Sequence, residues 1–185
     1  GSIFGQEKNV VNAAIAKMNL FLHGASDFNV MQGDTLRDPK ILQGGNIAKF
    51  DCVIANPPFS LENWGATEWS SDKYKRNIYG TPSDSCGDYA WIQHMICSMS
   101  SGKGRMAVVM PQGILFRGNQ EAEIRKQLVE SDLIEAVVTL GDKLFYGTGL
   151  SPCFLIIRRM KQAHHSGRIL MIDGSKILTQ KRAQN

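Results

Sequence analysis

Cysteine is scarce and scattered in this chain of 185 residues: there are four (Cys52, Cys86, Cys97 and Cys153). None forms a Cys-x-x-Cys pair, so the common zinc and dithiol frameworks have no footing and no metal is expected. Cys52 and Cys153 lie inside apolar runs, where a thiol is expected to be buried and inert. Together these features read as a reduced, cytoplasmic protein. No apolar run approaches the ~18 residues of a membrane span, and no secretory leader pattern is visible, so a membrane is not among the expected partners. No segment repeats itself. Charge is nearly balanced at +4, which permits an acidic partner such as nucleic acid without requiring one.

What is present is alternation. Ile3-Phe4 reads as the end of a strand, Gly5-Gln6-Glu7 as a turn, and Asn9 to His23 as a helix with Val10, Ala14, Ile15, Met18 and Leu22 at helical spacing. Phe28 to Met31 is a short strand followed by a Gly33-Asp34-Thr35 turn. Asp51 to Ala55 is a strand of buried type. Residues 60–87 form a long irregular insert, a length that is functional or disordered in a compact domain. A helix follows over Asp88 to Met99, a strand over Arg105 to Met110, a helix capped by Asn119 and running to Glu130, and a strand over Leu133 to Thr139. A glycine-rich link leads to a last pair of strands within 153–173, expected to form an antiparallel edge hairpin. Strands alternating with helices imply an α/β fold with a mainly parallel sheet covered on both faces and an antiparallel carboxyl-terminal edge. In such sheets ligands sit beyond the carboxyl ends of the strands.

The strand over Asp51 to Ala55 runs straight into Asn56-Pro57-Pro58-Phe59. An aromatic exocyclic amine is a poor nucleophile because its lone pair is delocalised into the ring. Two acceptors aimed at its hydrogens localise that lone pair, and the Asn56 side-chain carbonyl and the Pro57 backbone carbonyl can supply them. Consecutive prolines fix φ and remove competing donors, so the corner is preorganised for charge that develops in the transition state. Phe59 offers a face for a stacked base. The plain alternative is a strand-ending turn, which Asn and Pro also favour.

Two carboxylates occupy comparable places after earlier strands. Glu7 can accept both hydrogens of a ribose diol, or serve as a helix-start acid favoured by the macrodipole. Asp34 can accept from an adenine amine, or shape an ordinary Gly-Asp turn. Glu7, Asp34 and Asn56 follow consecutive strands in order, which points to S-adenosylmethionine as cofactor, its sulfonium methyl attacked in line by the amine.

With these segments in view the chain resembles the modification (methyltransferase) subunit of type I restriction–modification systems. The resemblance covers essentially the whole chain. It is carried by Gly5-Gln6-Glu7, Ala16 to Leu20, Gly33-Asp34-Thr35-Leu36, Asn56 to Ser60, Gly87 to Trp91, Val109 to Gly118, Ile124-Arg125-Lys126 and Leu144 to Gly149. The Asn-Pro-Pro-Phe motif is shared by many amino-methyltransferases, whereas Phe116-Arg117-Gly118 and Phe145 to Gly149 are more particular. The resemblance implies a Rossmann-like methyltransferase fold and a DNA adenine-N6 methyltransferase acting on a flipped adenine in double-stranded DNA. It also implies partnership with a specificity and a restriction subunit. Asn56, Pro57, Pro58 and Phe59 would form the catalytic motif, and Glu7 and Asp34 would touch the cofactor.

One departure stands out. The family's glycine-rich cofactor loop belongs just upstream of Gly5 and is absent, as is the strand that carries it, which lies between the strands ending at Phe4 and Ala55. Residues 1–185 then read as a partial catalytic domain missing its first central strand, expected to hold cofactor weakly and to self-associate through uncovered edges. Two other readings remain: methylation of protein glutamine or RNA, which uses a similar corner, and an inert subunit-contact piece.

Further residues carry paired readings. Trp64 and Trp69 stack on a base or anchor the insert. Lys73, Lys75 and Arg76 meet phosphates or are simply solvated. Arg117 and Lys143 face a DNA groove or do not. Tyr146 borders the base pocket or belongs to a connector. His164-His165 lack the neighbours a metal would need.

Overall fold

The computed structural model describes residues 1–142, 144–145 and 149–177. Strand β1 (Ile3–Glu7) lies parallel to β2 (Phe28–Gln32), in register from Ile3 opposite Phe28 to Glu7 opposite Gln32, and helix α1 (Val10–Leu22) connects them. The Asn9 side chain caps α1, accepting from the Val11 and Asn12 N–H groups at 2.9 and 3.1 Å. The expected turn at Gly5-Gln6-Glu7 is instead the second half of β1: pairing with Val30, Met31 and Gln32 carries the strand through it, and the chain bends only at Lys8.

A small hairpin of β3 (Leu42–Gln43) and β4 (Asn46–Ile47) precedes β5 (Cys52–Ala55). Then come α2 (Ala66–Ser70) inside the insert, α3 (Asp88–Ser98), β6 (Arg105–Pro111), a 3-10 turn over Gln112–Leu115, and α4 (Asn119–Glu130). Strands β7 (Ile134–Leu140), β8 (Pro152–Arg158) and β9 (Leu170–Gly174) complete the order. Asn119 is the first residue of α4 rather than its cap; it takes a left-handed φ of 56°, and Gly118 precedes it without a side-chain cap.

The larger sheet has five strands in the order β5-β6-β8-β7-β9. Strands β5 and β6 are parallel, as are β7 and β9, and β8 runs antiparallel to both of its neighbours. The last two strands therefore do not form the expected edge hairpin: β8 enters the sheet between β6 and β7, and β9 pairs with β7 on the outside. The reason lies in side-chain burial. Cys153, Leu155 and Ile157 of β8 are fully covered, whereas Leu170 and Met171 of β9 are 59% and 63% exposed, and a strand as apolar as β8 is satisfied only with a neighbour on each side.

Alternation along these strands sets the core. Met106, Val108 and Met110 of β6 and Cys153, Leu155 and Ile157 of β8 pack with Ile92, Met95 and Ile96 of α3 and with Ile124 and Leu128 of α4. Ala107, Phe154 and Ile156, on the alternate positions, are half-buried.

The two-stranded β1–β2 sheet is not hydrogen-bonded to the larger one. Between β1 and β5 runs a slot of about 580 Å³, with Ile3 to Gln6 on one wall and Cys52 to Ala55 on the other. The Phe4 and Phe50 rings meet across it at 5.4 Å. The slot lies where the resemblance puts a strand. It also explains two corrections: β5 is not fully buried, with Ile54 77% exposed, and Cys52 is exposed rather than covered. Among the described residues no helix is long and apolar enough to cross a membrane.

Candidate active site

The Asn56-Pro57-Pro58-Phe59 corner begins where β5 ends at Ala55. Asn56 and Pro58 are exposed, Pro57 is buried, and Phe59 is half-buried. The Phe59 ring meets Phe145 edge-on, with centroids 6.5 Å apart and planes at 90°, which brings Phe145 to the corner. Tyr146 and Lys143 lie outside the described residues.

On the other side of the slot, Glu7 closes β1, and its Oε1 accepts the Asn9 N–H at 2.7 Å. Asp34 follows β2: its Oδ1 accepts the Leu36 and Arg37 N–H groups, each at 3.1 Å, and its Oδ2 pairs with Lys8 Nζ at 2.9 Å. Burial alone would raise the Asp34 pKa, but Lys8 and the two N–H donors outweigh it, so the carboxyl sits below its ordinary range and stays ionised. Both acids thus fill the plain structural roles weighed for them. Those roles do not exhaust them, because a carboxylate offers about four lone-pair sites. The Lys8–Asp34 pair also holds the ends of β1 and β2 together.

The structure brings the two sides to one cavity. Gly5 and Gln6 beside Glu7, Thr35 beside Asp34, and Ala55 beside Asn56 all line the slot. Glu7, Asp34 and Asn56 themselves are not among the residues that line it. Gln6 braces the β1 wall, donating to the Asp38 carbonyl at 2.9 Å and accepting the Lys40 N–H at 2.8 Å.

The insert is where the sequence reading missed most. Arg76, read as a phosphate contact or a solvated charge, is 2% exposed. It pairs with Asp72 at 2.8 Å, stacks 4.4 Å above Trp69, and donates to the Thr35 and Leu36 carbonyls at 3.0 and 2.7 Å. Thr35 and Leu36 continue the Asp34 turn, so this guanidinium fastens the insert to that turn. A further contact, with His94 Nδ1 at 3.2 Å, makes that ring nitrogen the acceptor. Burial, and then the Arg76 charge, push the His94 pKa down to about 3, so the ring is neutral. The only local signal was Asp72 four residues before Arg76.

Trp64 and Trp69 anchor the insert rather than wait for a base. Both are 2% exposed, their rings meet edge-on at 5.5 Å, and Trp64 Nε1 donates to the Ser83 carbonyl at 2.8 Å. Trp64 packs so tightly on Gly87 that a Cβ there would lie 2.9 Å from its Cγ. Buried Gln93 closes the insert, accepting from Tyr79 N–H at 2.8 Å and donating to the Gly80 carbonyl at 3.0 Å.

Arg117 does not reach outward to a groove. Its guanidinium pairs with Asp88 and, at 2.8 Å, with Glu121. Cys86, Asp88 and Glu121 bring their ligand atoms within 4.8 Å of one another, but Arg117 supplies the positive charge of that cluster. Burial pushes the Cys86 thiol up to about 12, so it stays protonated.

The sequence model described as N-6 DNA methylase matches residues 1–185. Among curated proteins, the methylase subunit of the type I restriction enzyme MjaVII from Methanocaldococcus jannaschii is 36% identical over 94% of this chain and 30% of its own length. The HindI methylase subunit from Haemophilus influenzae is 33% identical over 95% of this chain and 38% of its own. The chain therefore spans about a third of the curated relatives it matches. Among solved structures, a type I restriction–modification methyltransferase subunit from Streptococcus thermophilus superposes with a TM-score of 0.86 at 30% identity, covering 98% of this chain and 38% of that one. A class I S-adenosylmethionine-dependent methyltransferase from Listeria monocytogenes shares the fold, with a TM-score of 0.70 at 15% identity, covering 96% of this chain and 51% of that one.

Proposed function

The chain belongs to the N-6 DNA methylase family, and from that membership we propose that it is part of the catalytic domain of a site-specific DNA adenine-N6 methyltransferase, the modification subunit of a cytoplasmic type I restriction–modification enzyme. One juxtaposition carries the reading: Asn56 stands exposed at the end of β5, beside a cavity whose wall includes the chain neighbours of Glu7, Asp34 and Asn56 alike. S-adenosylmethionine supplies the electrophilic methyl. Glu7 and Asp34 hold its ribose and adenine. The Asn56 Oδ1 and the Pro57 carbonyl accept the two hydrogens of a flipped adenine amine and stabilise the positive charge that grows on that nitrogen as the methyl arrives. Phe59 stacks on the base. The nitrogen then releases a proton to solvent, and the donor sulfur leaves as a neutral thioether.

Specificity and restriction subunits are the proposed partners, since the curated relatives are methylase subunits of type I restriction enzymes. A corner of the same kind would serve for protein glutamine or RNA; family membership favours DNA. Taken alone, a chain with an open slot beside its cofactor carboxylates is expected to bind S-adenosylmethionine more weakly than micromolar, and isothermal titration checks this.

Asn56→Ala tests the reading. In the full-length subunit, assayed with its specificity subunit by mass spectrometry of N6-methyladenine, it is expected to lower kcat by about 10²–10³-fold while the cofactor Kd stays within about twofold. An unchanged kcat, or an equal loss of cofactor affinity, counts against the role.

A further inference from the structure

We propose that Asp88 and Arg117 are positioning residues for the methyl-accepting corner, a role that rests on the function proposed above. Asp88 is the first residue of α3 and is fully buried. Its two oxygens serve different masters. Oδ1 accepts the N–H of Ser60 at 2.8 Å, the residue immediately after Phe59, and Oδ2 pairs with the Arg117 guanidinium.

Ser60 needs holding. Its φ is +51°, a left-handed conformation that an L side chain adopts only at a cost and keeps only when its surroundings over-determine it. That backbone setting decides where the chain leaves Phe59, and so how the Asn56-Pro57-Pro58-Phe59 corner is aimed. Asp88 is the acceptor that fixes it. The start of α3 suits a carboxylate, because the helix macrodipole favours negative charge there.

Arg117 in turn fixes Asp88. Its Nη1 reaches Ser60 Oγ at 3.4 Å and Cys86 Sγ at 3.2 Å, and Glu121 holds its Nε side at 2.8 Å. The arginine is itself braced. Its own N–H bonds the Gly113 carbonyl at 2.9 Å, and its guanidinium lies so close over Gly113 that a Cβ there would sit 3.1 Å from Nε. Arg125 donates to the Arg117 carbonyl at 2.8 Å. The corner, α3 and α4 are thereby linked through one charge set, in which Asp88 and Glu121 are buried and Arg117 is half-buried.

Stability alone does not call for such a set. A buried ion pair is often matched or exceeded in stability by apolar residues of the same volume. What the charges add is direction: a carboxylate with one oxygen committed to the guanidinium can present the other to Ser60 in only one way. Misplacement of a reacting group by about 1 Å can cost 10²-fold in rate, so the aim of this corner is worth the arrangement.

The test uses the full-length subunit with its specificity subunit and a cognate DNA duplex. Asp88→Asn keeps the shape but loses the charge that holds Arg117; Arg117→Lys keeps a charge but loses the fork. Each is expected to lower kcat by about 10–100-fold, with KM for DNA and cofactor Kd changing by less than about threefold. Each is then combined with Asn56→Ala. If the pair acts through the corner, the loss seen in the single variant largely disappears in the Asn56→Ala background. A folded Asp88→Asn or Arg117→Lys enzyme with unchanged kcat overturns the proposal, as does the same fold-loss on both backgrounds. Ser60→Gly, which accepts φ of +51° without strain, is the mild third variant should the others melt: it should partly rescue Asp88→Asn, and failure to do so also overturns the role. An Asn56→Ala enzyme with full activity would instead strike the underlying functional reading, and so the two failures stay distinct.

Discussion

The β1–α1–β2 lobe and the insert with α3 look alike in composition and end up in opposite conditions. Both carry an apolar helix. On α3, Ile92 and Ile96 are completely buried and even Gln93 is enclosed and bonded. On α1, Val10, Ile15, Met18 and Leu22, apolar at helical spacing, are 60–74% exposed, and Ala13 is the one buried residue. Helical periodicity announces that a face is apolar; it does not say what covers it. A two-stranded sheet is too narrow to cover such a face, whereas α3 lies against a sheet of five strands and beneath an insert pinned by Arg76, Trp64 and Trp69. The lesson is that an insert without regular structure can be better ordered by packing than a well-formed helix.

The strongest way to break that contrast is to remove the rivet of the ordered side. Arg76→Ala leaves Asp72 buried and two loop carbonyls unpaired, and is expected to cost about 3–5 kcal/mol, read by urea denaturation. It should also weaken cofactor binding in the full-length protein, because the Asp34 turn loses its brace. A loss below about 1 kcal/mol would mean that the insert is not the stabilising element.

A milder probe uses pH. His94 has an ordinary pKa of 6.5 and a folded value of about 3, so between those values the unfolded chain binds a proton that the folded one refuses. Its contribution is complete above about pH 6.5 and is lost as pH falls toward 3. The melting temperature should therefore decline from pH 6.5 to 4.5 more steeply than in His94→Gln, where the slope flattens. Arg76 and Asp72 are the charged groups facing this ring, and the Asp72 carboxyl stays charged across that interval, since Arg76 holds it, despite its burial, below the ordinary range. Equal slopes would contradict a neutral, buried imidazole.

The smallest effect is expected on the exposed side. Ile15→Gln and Phe21→Gln should change stability by no more than about 0.5 kcal/mol while reducing self-association in sedimentation velocity. A large destabilisation would show that α1 is covered in solution, and the contrast would vanish.

Local signals made much of this fold legible. The corner at 56–59 stood out because prolines end strands and asparagine offers an acceptor, and every major strand and every helix except the short α2 was visible in the periodicity. Partner choice was not. Nothing in Cys153 to Arg158 says that β8 lies between β6 and β7, because an apolar strand asks for two neighbours without naming them. Gly5-Gln6-Glu7 misled in the other direction, its turn-like residues being drawn into β1 by pairing with β2. Glu7, Asp34 and Asn56 were legible as acceptors placed at strand ends. Asp88 and Arg117 were not legible as their support: charged residues are expected at the surface, and the contact joining them to Ser60 spans 28 positions in the chain.

The late placement of β8 bears on how the chain is born. A nascent polypeptide that has emerged as far as Leu150 already holds β6 and β7, yet those strands lack the lane that joins them. Until Pro152–Arg158 is threaded between them, two apolar edges stand open together. Such long-range pairing is slow to form and exposed to aggregation while it waits. The step that seals this sheet therefore waits until Pro152–Arg158 has emerged, and translation pauses or chaperones that guard the interval before it would govern the yield of native protein.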